Sequence, residues 1–316
     1  MIFKNLLLID GINRAGKNAI IDAITSFKRS ESIEMNYVFE HIVEGISLNL
    51  ITKEYAKSFF EKFLNEIAYN KFLGRNANFR KKDKSSIQNF SFPEIYRKRL
   101  LQSENSKKIF QKLKKTKNFF PFMTHEVLSN LDTFDDLKIN YKMIAIFRNP
   151  YDLIYSWKKK KIVEKLGNDN FTLTFNNKNE IYPWYVYHNS KKWLNLKEMD
   201  KISIIILNLL DKSIKNYKKS KNKKNIFLIK YEDYISQPVI HLKKISKFMK
   251  TKFSSKTNLK LKKLNLPKDI KILEKKRQVK INFIKKNVNQ RLFKKIQLLE
   301  KSYAKNFYGL NLNEVL

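Results

Sequence analysis

The 316-residue chain contains no cysteine, which rules out a disulfide framework and a thiolate metal site. A chain without thiols suits a reducing compartment, and the expected location is cytoplasmic. Glycine and proline number six each, too few to build a flexible linker between domains. The sequence is therefore read as one domain over residues 1–316, with helical insertions at about 30–115 and 160–220. Long apolar runs are also missing. Leu6 to Ile9 is far too short for a signal-peptide core, and ISIIILNLL at 202–210 is about half a membrane span. Acidic residues are scarce: 29 Asp+Glu stand against 66 Lys+Arg, a formal charge of +37. Such a field attracts nucleotides, anionic glycans, nucleic acid or an acidic membrane surface without choosing among them. The abundance of Lys, Asn and Ile is also what an AT-rich genome produces.

With 42% hydrophobic residues, a chain of this length can bury roughly three quarters of its unfolded surface. Strand and helix signals alternate. Residues 6–9 read as a buried strand, and after a loop Ile20, Ala23, Ile24 and Phe27 share a helical face. YKMIAIF at 141–147 is a second buried strand, followed by a helix opening at Pro150. A third pair is the strand 226–230 and a helix from about Pro238, expected to turn Ile240, Ile245, Phe248 and Met249 inward. Strands alternating with helices imply an α/β fold with a central parallel sheet flanked by helices. The Lys-rich tracts 81–84, 158–161 and 218–224 read as solvated loops or helix ends.

Between the first strand and helix lies GINRAGKN, Gly11 to Asn18. It fits the phosphate-cradling pattern G-x-x-x-x-G-K-S/T except at its last position, where Asn18 replaces the hydroxyl that holds Mg²⁺ in nucleoside-triphosphate enzymes. Backbone N–H groups from Arg14 through Ala15, Gly16, Lys17 and Asn18 should converge on an anion at the helix start, with Arg14 and Lys17 adding charge. In RNPYDLIYS, Arg148 closes a strand and Ser156 lies two helical turns on, a cation and a hydroxyl suited to a second phosphate.

These two loops resemble those of the sulfotransferases that use 3′-phosphoadenosine 5′-phosphosulfate (PAPS). RAGKN at 14–18 matches loosely the family loop Lys/Arg-Ser-Gly-Thr-Thr that holds the 5′-phosphosulfate. RNPYDLIYS at 148–156 matches closely its Arg-Asn/Asp-Pro-x-Asp-x-x-x-Ser segment, which binds the 3′-phosphate. The YED segment at 231–233 resembles the family's Tyr-Glu-Asp-x-x-x-x-Pro, whose Tyr lies near the adenine, and that role falls on Tyr231. FMTHEV at 122–127 resembles a strand end carrying the general base, which falls on His125. The resemblance covers residues 5–30, 117–160 and 225–250, and implies a P-loop NTPase-like fold. It implies sulfuryl transfer without a metal, releasing 3′-phosphoadenosine 5′-phosphate (PAP), so the missing hydroxyl at Asn18 ceases to be an anomaly. Three departures stand out. Met123 replaces a lysine, Lys17 and Asn18 replace two hydroxyl residues, and a C-terminal Arg-Lys-Gly loop is absent, leaving Arg277 in KKRQVK as a weak substitute.

An acceptor hydroxyl must lose a proton as it attacks sulfur, while charge grows on the leaving oxygen. The base is expected at His125, with Glu40 and His41 in YVFEHIVE as the alternative, and Lys17 is the expected catalytic cation. Asp10, Asp152, Glu232 and Asp233 are expected to cap or brace the loops. The aromatic stretch YPWYVYHNSKKW at 182–193 either stacks on a sugar-like acceptor or packs an inserted lobe. Two rivals remain at this level. An ATP-dependent P-loop kinase is opposed by Asn18, and a non-enzymatic polyanion binder leaves the paired loops unexplained. The acceptor, whether glycan, lipid or small metabolite, and the oligomeric state are not written in the sequence, and no specific nucleic acid is expected as a partner.

Overall fold

A computed structural model describes residues 3–168, 171–177 and 180–305. The first apolar run forms β1 (Leu6–Asp10), with all five side chains buried. It is followed in chain order by β2 (Phe120–Met123), β3 (Tyr141–Phe147), β4 (Thr174–Asn177), β5 (Glu180–Pro183) and β6 (Ile226–Lys230). Among the described residues, four of these make one parallel sheet in the order β2-β1-β3-β6, and β4 and β5 make a separate antiparallel pair. Ile9 lies opposite Met123 on one side and Ile144 on the other. The central strand thus has a neighbour on each side reached by separate crossovers. Its carboxyl end is the place where an open parallel sheet leaves a crevice between diverging connections.

α1 (Lys17–Ile24) leaves that crevice, burying Ile20, Ala23 and Ile24 as the periodicity requires, and Phe27 is buried in the turn beyond it. The 30–115 insertion supplies α2 (Val38–Ser47) and α3 (Lys53–Leu73), then helices Pro93–Leu100 and Ser106–Lys115. α2 is fixed by Phe39, whose ring centroid lies 4.9 Å from Phe60, 5.8 Å from Phe122 and 5.6 Å from Phe134. Anchoring Phe39 fixes the rotation of α2, so that the adjacent stripe, with Glu40 and Glu44 at i, i+4, lies toward the sheet's carboxyl end. The insertion is tied to the sheet edge through Glu31, which accepts two bonds from Arg99 at 2.7 and 2.9 Å and one each from Asn118 and Tyr96 at 2.7 Å.

The apolar run at 202–210 lies in the helix Glu198–Lys219, where Ile202, Ile205, Ile206, Leu209 and Leu210 are core. Among the described residues no helix is long and apolar enough to cross a membrane. The Tyr-Glu-Asp segment, expected as a polar junction, forms its own short helix Tyr231–Ser236 before the helix Pro238–Phe248. Ile240 is not inward as expected: it is 49% exposed, and Leu242 takes the core position beside Ile245. Ile240 and Ile245 are five residues apart, about 140° round the helix, so the helix Pro238–Phe248 cannot turn both inward.

Candidate active site

The Gly11–Asn18 loop has the backbone its glycines permit. Gly11 and Gly16 have φ of 145° and 105°, and Arg14 adopts the left-handed region at 73°. A Cβ on Gly16 would run into the ring of Tyr231, so a glycine is required where that ring lies on the loop. Trp157 Nε1 donates to Asn13 O at 2.8 Å and pins the loop to the helix Pro150–Lys159. Ala15 is buried with its N–H on Ile12 O, whereas Asn18 is exposed on the first turn of α1. Lys17 is not turned outward. Its ammonium bonds the carbonyl of Gly11 and lies 3.4 Å from that of Ile12, and burial lowers its proton affinity against the pull of Asp10, Glu126 and Glu40.

The second loop meets the first. Arg14 Nε donates to Ser156 Oγ at 3.2 Å, and Arg148 Nη1 donates to Arg14 O at 2.9 Å. The Arg148 guanidinium sits 4.9 Å over the ring of Tyr231, while its Nε is buried without an acceptor. Asn149 caps the helix Pro150–Lys159 through Tyr151 N, and its own N–H donates to Glu232 Oε1 at 3.1 Å. Asp152, one turn in, binds Lys280 and accepts from Arg277 Nη2 at 3.0 Å; Arg277 is also 3.6 Å from Glu232. Arg277 therefore belongs to the helix Ile270–Asn287, and its charge is engaged beside the Arg148–Tyr231 pair.

On the other side of β1, His125 follows the end of β2, and its carbonyl accepts from Gly11 N at 3.3 Å. Its Nδ1 lies 3.1 Å from Glu40 Oε1, and its ring stacks on Tyr37 with centroids 5.6 Å apart. Burial, helped by the charge of Lys17, lowers the imidazole to about 3. Burial raises Glu40 to about 7 and Glu126 to about 7, and drives Glu44 well above the carboxylate range. The two candidate bases are one hydrogen-bonded unit. His41, a neighbour of Glu40 but about 100° round the helix, instead places Nε2 2.7 Å from Phe171 O. Asp10 does not face the loop: it accepts from Thr124 Oγ1 at 2.7 Å and from the backbone of Val127 and Leu128, bracing the turn that presents His125.

A cleft of about 210 Å³ opens in front of this unit, lined by Asn13, Tyr37, Glu40, Glu44, His125, Glu126 and Tyr185 among others. Sequence reasoning missed Glu44, Glu126 and Tyr37. The Glu40–Glu44 spacing on one helical face and the carboxylate next to His125 were legible signals; Tyr185, which donates to Glu126 Oε2 at 3.3 Å, is the member of the 182–193 aromatic stretch that reaches the cleft. The rest of that aromatic stretch packs internally, with Tyr182 against Phe175 and Trp193 under Lys201.

The arrangement has one face for anions, built from Arg14, Arg148 and Ser156, and one for proton transfer, built from His125 and Glu40. His125 also lines the small cavity beside Gly11, Ala15 and Arg148, so the two faces adjoin. No curated protein matches the chain. Solved structures with a similar outline include the sulfotransferase domain from the curacin biosynthetic pathway, 13% identical, covering 81% of this chain and 76% of that one at a TM-score of 0.42. A sulfotransferase from Alicyclobacillus acidocaldarius is 9% identical, with 93% and 95% covered and a TM-score of 0.38. A mouse sulfotransferase complexed with PAP is 14% identical, with 82% and 63% covered and a TM-score of 0.34. The family-level match is to the sulfotransferase domain over residues 18–301, beginning one residue past the lysine of the loop and running through β2, the Arg148–Ser156 segment and Arg277. That span takes in most of the fold and the whole proton-transfer face, and the chain belongs to the sulfotransferase domain family.

Proposed function

We propose that this chain, acting as a single domain in the cytoplasm, moves a sulfuryl group from PAPS to an acceptor hydroxyl. The observation that carries the reading is the closure of Arg148 and Ser156 onto Arg14, under the ring of Tyr231 and beside the His125–Glu40 unit. The residues fit the nucleotide. Arg148 Nε is a buried donor with no acceptor, and the Tyr231 ring lies against Gly16 with the Arg148 guanidinium 4.9 Å from its centre. Arg148 and Ser156 would hold the 3′-phosphate, and Tyr231 the adenine. The Arg14 side chain and the backbone N–H groups of Arg14 to Asn18, apart from that of Ala15 on Ile12 O, would hold the 5′-phosphosulfate. Arg277 would join them by exchanging Asp152 for phosphate.

When bound, PAPS supplies the sulfuryl group: a sulfur–oxygen bond to the acceptor forms as the one to its 5′-phosphate breaks. The protein's part is to take the acceptor's proton and to offset charge at the loop. With Glu40 ionised, His125 carries its proton on Nδ1 and offers the Nε2 lone pair to the acceptor hydroxyl. Glu40, on Nδ1, fixes the ring's tautomer and orientation and stabilises the imidazolium that forms when Nε2 takes the proton. Lys17 holds the loop carbonyls of Gly11 and Ile12 in place and, with Arg14, sets the positive potential at the start of α1.

A thermal-shift comparison of PAP, AMP and ATP with Mg²⁺ tests the cofactor. PAP at a hundred times its dissociation constant should add about 2.7 kcal/mol of stability. A response to ATP with Mg²⁺ and none to PAP would favour the kinase reading and refute this one.

A further inference from the structure

The chain carries a formal charge of +37, yet the cleft beside the proton-transfer face is acidic. Glu40, Glu44 and Glu126 each place a carboxylate oxygen within 4.8 Å of the others. They are 5%, 4% and 6% exposed, and both Glu44 Oε2 and Glu126 Oε1 accept no hydrogen bond. Buried acceptors without donors are expensive, and a ligand that brings donors would satisfy both of these beside the third carboxylate. Lys17 does not fill this role, because its ammonium is committed to the loop carbonyls. The aromatic wall is the second element. Tyr37 stacks on His125 and, at 4.9 Å, on Phe171, and Tyr185 closes the cleft with its hydroxyl on Glu126.

We infer that the acceptor is an alcohol that also carries a protonated amine, and that Glu44 and Glu126, with Glu40, bind its ammonium while its hydroxyl lies toward His125. This deepens the sulfotransferase reading and rests on it for the hydroxyl's fate. An ammonium is a donor with no acceptor, the complement of three carboxylate oxygens. Three oxygens each about 2.8 Å from one tetrahedral nitrogen stand about 4.6 Å apart, within the spacing found. A ring-lined wall adds the attraction of π faces for an organic cation, which a hydrated divalent metal would not exploit. The cleft volume of about 210 Å³ has room for a small aminoalcohol or a single amino-sugar unit.

The test uses matched pairs titrated calorimetrically into the full chain: tyramine against 4-ethylphenol, and glucosamine against glucose. Each pair is measured with and without saturating PAP. The expected result is that at least one amine binds about tenfold or more tighter than its neutral partner, as charge-assisted bonds predict. Glu44→Gln and Glu126→Gln, which keep side-chain volume, should each erase most of that preference, with circular dichroism confirming the fold. Equal binding within both pairs would overturn the inference, as would a preference that survives both substitutions. One-to-one binding of Ca²⁺ or Mn²⁺ that Glu44→Gln abolishes, with no amine preference, would assign the cluster to a metal and overturn it too. Failure of PAP to bind would defeat the cofactor reading, while the titrations without PAP would still decide the amine; PAP binding without amine preference would defeat the amine alone.

Discussion

Arg148 donates to the backbone carbonyl of Arg14, a residue 134 positions away, and Arg14 donates in turn to Ser156 in the helix that Arg148 precedes. Three residues thus lock two loops at the ends of β1 and β3, adjacent strands whose carboxyl ends place the loops side by side. The lock leaves Arg148 Nε facing no acceptor, which is where an anion gains most.

Replacing Arg148 or Ser156 by Ala should weaken PAP far more than AMP, which lacks the 3′-phosphate. The expected loss for Arg148→Ala is about 1.5–3 kcal/mol, or roughly tenfold to 150-fold in dissociation constant. Calorimetric titration of both nucleotides measures it, and equal weakening of the two would remove Arg148 from the 3′-phosphate site.

Gly16→Ala should impair nucleotide binding without touching a charged group. The new methyl meets the Tyr231 ring, and φ of 105° is strained for any L side chain. A cost on the order of 1–3 kcal/mol in stability is expected, read as a lower melting temperature. The companion Gly16→Ala/Tyr231→Ala should recover part of the stability but not PAP affinity. Unchanged melting in the single variant would contradict the close approach.

Turnover should rise as pH passes about 7, because Glu40 must be ionised to hold His125 with Nε2 free and to stabilise its protonated ring, and burial raises that carboxyl to about 7. The groups facing it are Lys17, His125, Glu126, Glu44 and His41, so the observed midpoint belongs to the cluster rather than to one residue. Glu40→Gln should remove the rise and cost about 10²- to 10⁴-fold in kcat. A pH–rate profile that keeps its rise in Glu40→Gln would place the base elsewhere.

Stability should show the same burial with the opposite outcome. In the ligand-free fold burial raises Glu44 well above the usual carboxylate range, holding a proton that an ammonium bound beside it would displace, while in the unfolded chain it ionises near 4.3. Between those values the folded state binds more protons than the unfolded one, so raising pH favours unfolding, by up to about 1.4 kcal/mol per pH unit for each such group. Glu44→Gln removes that loss, and its melting temperature should exceed wild type by a margin that widens from pH 4.5 upward. The lowered His125 acts with the opposite sign below pH 6.5, but it is common to both proteins and cancels in the difference. A constant margin would show that Glu44 is ionised in the fold.

Much of the proposed nucleotide face was written locally. A buried strand, two glycines and a lysine within eighteen residues place a strand–loop–helix turn at Gly11 to Lys17, and Arg148, Pro150 and Ser156 are set by a strand end and a helix start only nine residues long. Side-chain types and short-range geometry suffice there, because the chain itself holds the spacing. The partner of Arg14 was not local, and neither was Lys17's turn inward to the carbonyls of its own loop.

The proton-transfer face needed tertiary structure. Helical phase places Glu40 and Glu44 together and His41 apart, but only the packing of Phe39 against Phe60, Phe122 and Phe134 decides that the glutamates look at the sheet. Glu126 comes from the end of β2 and Tyr185 from the inserted lobe, segments whose meeting depends on strand order and on how the lobe docks. The residue types were determined by the sequence alone; the acidity of the cleft, the depressed imidazole and the raised carboxylates were decided by burial, which is a property of the whole fold and of no single stretch of it.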